Sequence, residues 1–200
     1  MKLFAPHPLA RFALIAIALG LLPAIAEAEP KLEMHRVGAS TDDGSGWHLA
    51  VSTKGSFSVL LPIPFNDFTT NDAATGEATY VVGAKSSEGI KFVALELPPG
   101  AKPPPDLASI PKAMAATPGN KVSDVSRSTK GDTDVLTLTV TDGSKTLYMR
   151  CIQTKGARYT LTIEFPNAYR ELVAANKDKF FDSFKLKTKS SSRRVNLTIL

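Results

Sequence analysis

The stretch Val135-Leu136-Thr137-Leu138-Thr139-Val140-Thr141, followed by Asp142-Gly143 and the run Ser144 to Phe165, decides the fold. Leu136, Leu138 and Val140 alternate with threonines, the period-2 signature of a strand with one buried face. Asp142-Gly143 is a dipeptide suited to the positive φ angles of a two-residue hairpin. That turn predicts Leu138 opposite Leu147 and Leu136 opposite Met149. At the next turn a two-residue Lys155-Gly156 loop would set Cys151 against Thr160, an apolar face against a polar one. A one-residue slip turns every side chain over. The expected loop is therefore Lys155-Gly156-Ala157, pairing Cys151 with Leu161, Met149 with Ile163 and Leu147 with Phe165. The outer face then carries Thr137, Thr139, Tyr148, Arg150, Ile152, Thr160, Thr162 and Glu164.

Outward from this meander, Trp47 to Ser52 and Phe57 to Leu61 read as strands around a short loop. Pro62 and Pro64 close the second, because proline cannot donate to a ladder. Thr79 to Ala84 and Ile90 to Leu97 form another pair. Pro98 to Pro105 holds five prolines and one glycine and reads as an extended connector within one domain. Ser109 then caps a short helix with Pro111 in its first turn, a position where proline sacrifices no hydrogen bond. A second, amphipathic helix opens at Pro166-Asn167 and aligns Tyr169, Leu172, Val173, Phe180, Phe181 and Phe184 for docking on the sheet. Lys185 to Lys187 adds a final short strand.

At the N-terminus, Lys2 and Arg11 precede an uncharged apolar run, Phe12 to Leu22, and Ala26-Glu27-Ala28 supplies a small-x-small cleavage pattern. Residues 1–28 are expected to be a signal peptide, with the mature chain exported to the periplasm or secreted and starting at Glu29. Residues 29–45 read as an irregular lead-in, 46–188 as a single α+β domain, and 189–200 as a loose basic tail. The 200 residues carry a net charge of +5 and one cysteine. That balance lacks the clustered Lys/Arg of a nucleic-acid footprint, and one cysteine excludes an internal disulfide.

Gly46-Trp47, the run Phe57-Ser58-Val59-Leu60-Leu61-Pro62-Ile63-Pro64-Phe65, the strand Tyr159-Thr160-Leu161-Thr162 and the motif Phe180-Phe181-Asp182-Ser183-Phe184-Lys185 resemble the PsbP-like family, named for an extrinsic subunit of photosystem II. The resemblance covers about Gly46 to Lys187. It implies an α+β fold, an antiparallel sheet with helices packed against it in an α/β sandwich. It also implies an exported protein that binds or assists assembly. No functional residue of the family matches a position here. Unlike anchored bacterial members, this chain has no lipidation cysteine after its apolar run.

The chemical inventory is small. His7 leaves with the signal peptide, so His35 and His48 are the mature histidines; a zinc site needs three or four His, Cys or carboxylate ligands at close spacing, and His48 beside Trp47 reads as a surface or packing residue. Asp42-Asp43-Gly44 and Asp132-Thr133-Asp134 read as turn chemistry rather than a calcium loop. Cys151 falls on the inner face as a small hydrophobe. No G-x-S-x-G elbow, phosphate-binding loop, cofactor motif or metal spacing occurs.

The expected function is a non-catalytic binding or assembly module acting through Tyr148, Arg150 and Glu164 on the sheet, toward a protein partner, as a monomer. The alternatives are a carrier that holds an apolar ligand between sheet and helix, and a hydrolytic enzyme whose site the sequence does not reveal. Lys177, Lys179, Lys185, Lys187, Lys189, Arg193 and Arg194 offer a weak contact to anionic membranes.

Overall fold

The computed structural model of the chain describes residues 31–100 and 106–187. The expected signal peptide, the tail from Lys189 and most of the proline connector lie outside these residues. Among the described residues there are eleven strands: β1 (Lys31–Ala39), β2 (His48–Val51), β3 (Phe57–Leu61), β4 (Phe65–Asn71), β5 (Ala78–Lys85), β6 (Lys91–Leu97), β7 (Lys121–Lys130), β8 (Thr133–Thr141), β9 (Lys145–Gln153), β10 (Arg158–Pro166) and β11 (Lys185–Leu186). Eight form one sheet in the order β1-β4-β5-β6-β10-β9-β8-β7, and three form a small sheet in the order β11-β3-β2. Neighbouring strands in both sheets run antiparallel.

This architecture corrects the expected α+β sandwich. Strands dominate the described residues, and their two α-helices are short: α1 (Ile110–Ala115) and α2 (Arg170–Asp182). One source of the difference is Lys31–Ala39, expected as irregular lead-in, which forms β1 and pairs with β4. It is an edge strand with most residues exposed, so it has no need of an apolar alternation. Phe65–Asn71 and Lys121–Lys130 are further strands whose polar residues obscured them.

The registers also differ from expectation. At the first turn Leu138 faces Met149 and Leu136 faces Cys151, so the loop centres on Gly143-Ser144. Gly143 adopts no positive φ. Instead the Asp142 carboxylate accepts the backbone N–H groups of Ser144 and Lys145 at 2.7 and 2.6 Å, which holds its pKa below the ordinary carboxylate value. The faces survive because the shift is two residues. At the second turn they do not: Cys151 faces Thr160, Arg150 faces Leu161 and Tyr148 faces Ile163. The loop is thus the two-residue Lys155-Gly156 connection, with Thr154 N–H donating to Ala157 O at 2.9 Å.

Both faces of the sheet are covered, which is why apolar residues on β9 and β10 need not align. Leu136, Leu138, Val140, Met149 and Cys151 lie on one face beneath Leu107, Ile110 and Met114 of the α1 segment. Leu161, Ile163 and Phe165 lie on the other with Val82, Phe92 and Ala94, against Phe57, Val59 and Leu61 of the small sheet and Val173, Phe180 and Phe181 of α2. All six residues expected to be buried, Leu136, Leu138, Met149, Cys151, Leu161 and Ile163, are buried, but in two different layers. Thr139 and Thr160, expected outward, are buried as well.

The small sheet is pinned to the large one by two buried carboxylates under the loop Ser52–Ser56. Asp67 on β4 accepts from the Thr53 N–H at 2.8 Å, the Thr53 hydroxyl at 2.5 Å and the Arg36 guanidinium at 2.7 Å. Glu96 on β6 accepts from the Ser56 N–H at 2.5 Å and from its hydroxyl, which also meets the Tyr159 hydroxyl at 2.8 Å. Lys187 Nζ closes the loop from β11 by donating to Ser52 O and Gly55 O.

Candidate functional site

Tyr148 and Arg150 stand on one face of β9, opposite Thr139 and Thr137 of β8. They border a groove of about 310 Å³ between the sheet and α2. Its floor is Thr137, Thr139, Tyr148 and Arg150, and its walls are Lys177, Asp178 and Phe181 of α2 and Asp124 of β7. Arg150 is held by a 2.8 Å bond to Asp182 and lies 4.9 Å above the centre of the Phe181 ring. Tyr148 packs against Phe165 with ring centres 5.2 Å apart. Both are half-buried and positioned from beneath, which fixes the groups they present.

Glu164 does not join them. The observed register puts it on the opposite face, paired with Leu147, and this separates the expected triad. Its carboxylate accepts from Lys91 Nζ at 2.9 Å and Lys145 Nζ at 3.1 Å. Burial alone would raise its pKa, but the two lysines outweigh that and hold it below the ordinary value. Glu164 is therefore an ionised cross-strand clasp on the other side of the sheet.

Asp124 was not legible as a site residue. It sits where the β7–β8 register slips between Ser123 and Ser126, and it is the one described non-glycine residue with positive φ, at 52°. A bulge re-aims a side chain and is common beside functional sites. Aspartate tolerates this conformation better than most residues, which is the sequence signal available. Lys177, Asp178 and Phe181 join because α2 crosses this face.

The other candidates are structural. Burial pushes the Cys151 thiol pKa up, away from a reactive thiolate. His35 bonds the Thr69 hydroxyl at 2.7 Å, and His48 the Ser40 hydroxyl at 3.0 Å. Asp42 and Asp43 accept the N–H groups of their own turn. Among the described residues, no three His, Cys, Asp or Glu side chains form a metal-holding group. Of the basic residues near the C-terminus, Lys177 bonds Asp178, Lys179 lies over Trp47, and Lys187 is taken up by the loop. Between sheet and helix, where an apolar ligand would lie, the rings are packed on one another: Phe180 on Phe92 at 5.4 Å, and Phe184 on Phe57 at 5.9 Å and Tyr159 at 5.3 Å.

No family model matches this chain, and no curated protein does. The PsbP-like resemblance therefore rests on its packing motifs alone. Among solved structures, the chain is similar to LpqN, which is involved in cell envelope biogenesis of Mycobacterium tuberculosis, at 14% identity and a TM-score of 0.33. The match spans 82% of this chain and 87% of that one. A likeness this distant assigns neither fold nor role.

Proposed function

We propose that this chain is an exported, non-catalytic binding module that engages its partner through the groove between α2 and the β8–β9 face. The observation that carries the reading is the groove itself, whose floor is rigid sheet and whose polar groups converge on one concavity. Export rests on the N-terminal pattern from Lys2 to Ala28, and material recovered outside the cytoplasm is expected to begin at Glu29. The PsbP-like motifs agree with a binding or assembly role. Tyr148 and Arg150 suit contact with a protein, since Tyr and Arg are enriched at interface centres.

The test is capture of a crosslinked partner from the exported fraction, comparing the wild-type chain with Arg150→Ala combined with Lys177→Ala. Capture is expected to weaken tenfold or more. Stability should fall only modestly: the ion pairs lost are those with Asp182 and Asp178, both largely exposed, which contribute about 0.2–1 kcal/mol each, and the Arg150 contact with the Phe181 ring adds about 0.5–1 kcal/mol. Undiminished capture would remove the groove as the binding surface, and turnover of a substrate by the purified chain would overturn the non-catalytic assignment.

A further inference from the structure

We infer that the groove between α2 and β7–β9 takes a sugar unit, a neutral polyhydroxylated ligand, an inference that rests on the groove being the binding surface. The floor supplies three hydroxyls, those of Thr137, Thr139 and Tyr148, and no described residue engages any of them. Hydroxyls both donate and accept, so three together match a ligand whose own hydroxyls do the same. Planar charged groups flank them. The Arg150 guanidinium gives only Nη1 to Asp182, leaving further donors, while Asp124 and Asp178 bring carboxylate acceptors from opposite walls.

Asp124 is the second, independent observation. Its left-handed backbone at the β7 bulge is a departure confined, among the described non-glycine residues, to this rim. Such strain persists where the surrounding structure enforces it and clusters at ligand sites. The Ser123 hydroxyl bonds Asp124 Oδ2 at 3.1 Å, which orients the carboxylate and leaves Oδ1 to accept from a ligand. Charges of both signs line the groove, Lys177 and Arg150 beside Asp124 and Asp178, so it does not select an anion or a cation. At about 310 Å³ it lies at the small end of ligand sites and has room for a sugar ring. Phe181, the apolar side chain of its α2 wall, already has Arg150 over its ring.

The experiment uses amide chemical shifts of the exported chain, titrated to millimolar concentration with the methyl glycosides of glucose, mannose, galactose and N-acetylglucosamine, and with maltotetraose and chitotetraose. At least one is expected to shift the amides of Thr137, Thr139, Tyr148 and Arg150. Thr139→Val and Tyr148→Phe remove single hydroxyls at nearly constant shape, and together they should weaken that ligand tenfold or more with the remaining spectrum intact. A tetrasaccharide that binds more tightly than its glycoside marks a chain as the source, and equal affinity marks a terminal or free unit.

Silence from all six probes, or shifts untouched by the two hydroxyl deletions, would overturn the sugar assignment. Loss of crosslinked partner capture in Arg150→Ala with Lys177→Ala, alongside such silence, would leave the groove standing as a protein-binding surface. Shifts clustered away from the groove would overturn the groove itself.

Discussion

Replacing Phe180 by alanine is expected to destabilise the protein by about 3–5 kcal/mol, the range of large aromatic truncations in cores. Phe180 has no exposed surface and sits on α2 where helix, small sheet and large sheet meet. Its ring lies edge-on to Phe92 at 5.4 Å and beside Phe181 at 5.2 Å. Removing it leaves a void between layers that cannot collapse toward one another without breaking the ladder of either sheet. Against a typical total of about 5–15 kcal/mol, the loss is a large share. The control is Leu172→Ala on the same helix, where 57% exposure predicts a change within about 0.5 kcal/mol. Urea denaturation of both variants reads the difference, and equal midpoints would mean that α2 is not docked through Phe180.

Asp67→Ala is expected to cost a comparable amount, about 3 kcal/mol, by a different route. Asp67 is fully buried and receives two Arg36 donors and two Thr53 donors on one oxygen. Removing a buried partner strands the groups it satisfied, and for charged pairs that costs about 3–5 kcal/mol. The lower end applies because the Arg36 side chain is 34% exposed and retains water. Among the described residues Asp67 Oδ1 has no partner, so an asparagine can keep its carbonyl toward Arg36 and Thr53 and turn its amide to that position without breaking a bond the wild type makes. Asp67→Asn should therefore be milder than Asp67→Ala. Hydrogen exchange supplies the specific readout: the Thr53 amide should lose protection in the alanine variant ahead of the strand amides. A Thr53 amide as protected as in the wild type would show that the loop is held by other means.

The strands of the C-terminal meander were legible because Leu136, Leu138 and Val140 alternate and Asp142-Gly143 punctuates them. The parity error at Lys155-Gly156 came from assuming one buried face. On β10 neighbouring residues Arg158 to Leu161 are all buried, so alternation there does not report a side. That error moved Glu164 across the sheet and joined it to Tyr148 and Arg150, whose mutual placement on β9 was sound. β1 escaped notice because an edge strand pairs on one side and tolerates polar residues on both faces. The groove was invisible in part because its wall comes from α2, and sequence does not say which strands a helix crosses.

The large sheet divides at one seam. On one side lie β1, β4, β5 and β6, and on the other β10, β9, β8 and β7, each set built mainly from neighbours in the chain. The two sets meet only where β6 pairs with β10, from Leu97 opposite Arg158 to Lys91 opposite Glu164. The small sheet closes still later, since β3 waits for β11. Pairings this distant in sequence slow folding, because a long loop must be closed before they are rewarded. A chain emerging N-terminus first thus presents β6 with an unfilled edge until β10 arrives. The early meander cannot be finished, and the groove lacks its helical wall, until almost the whole chain has been made.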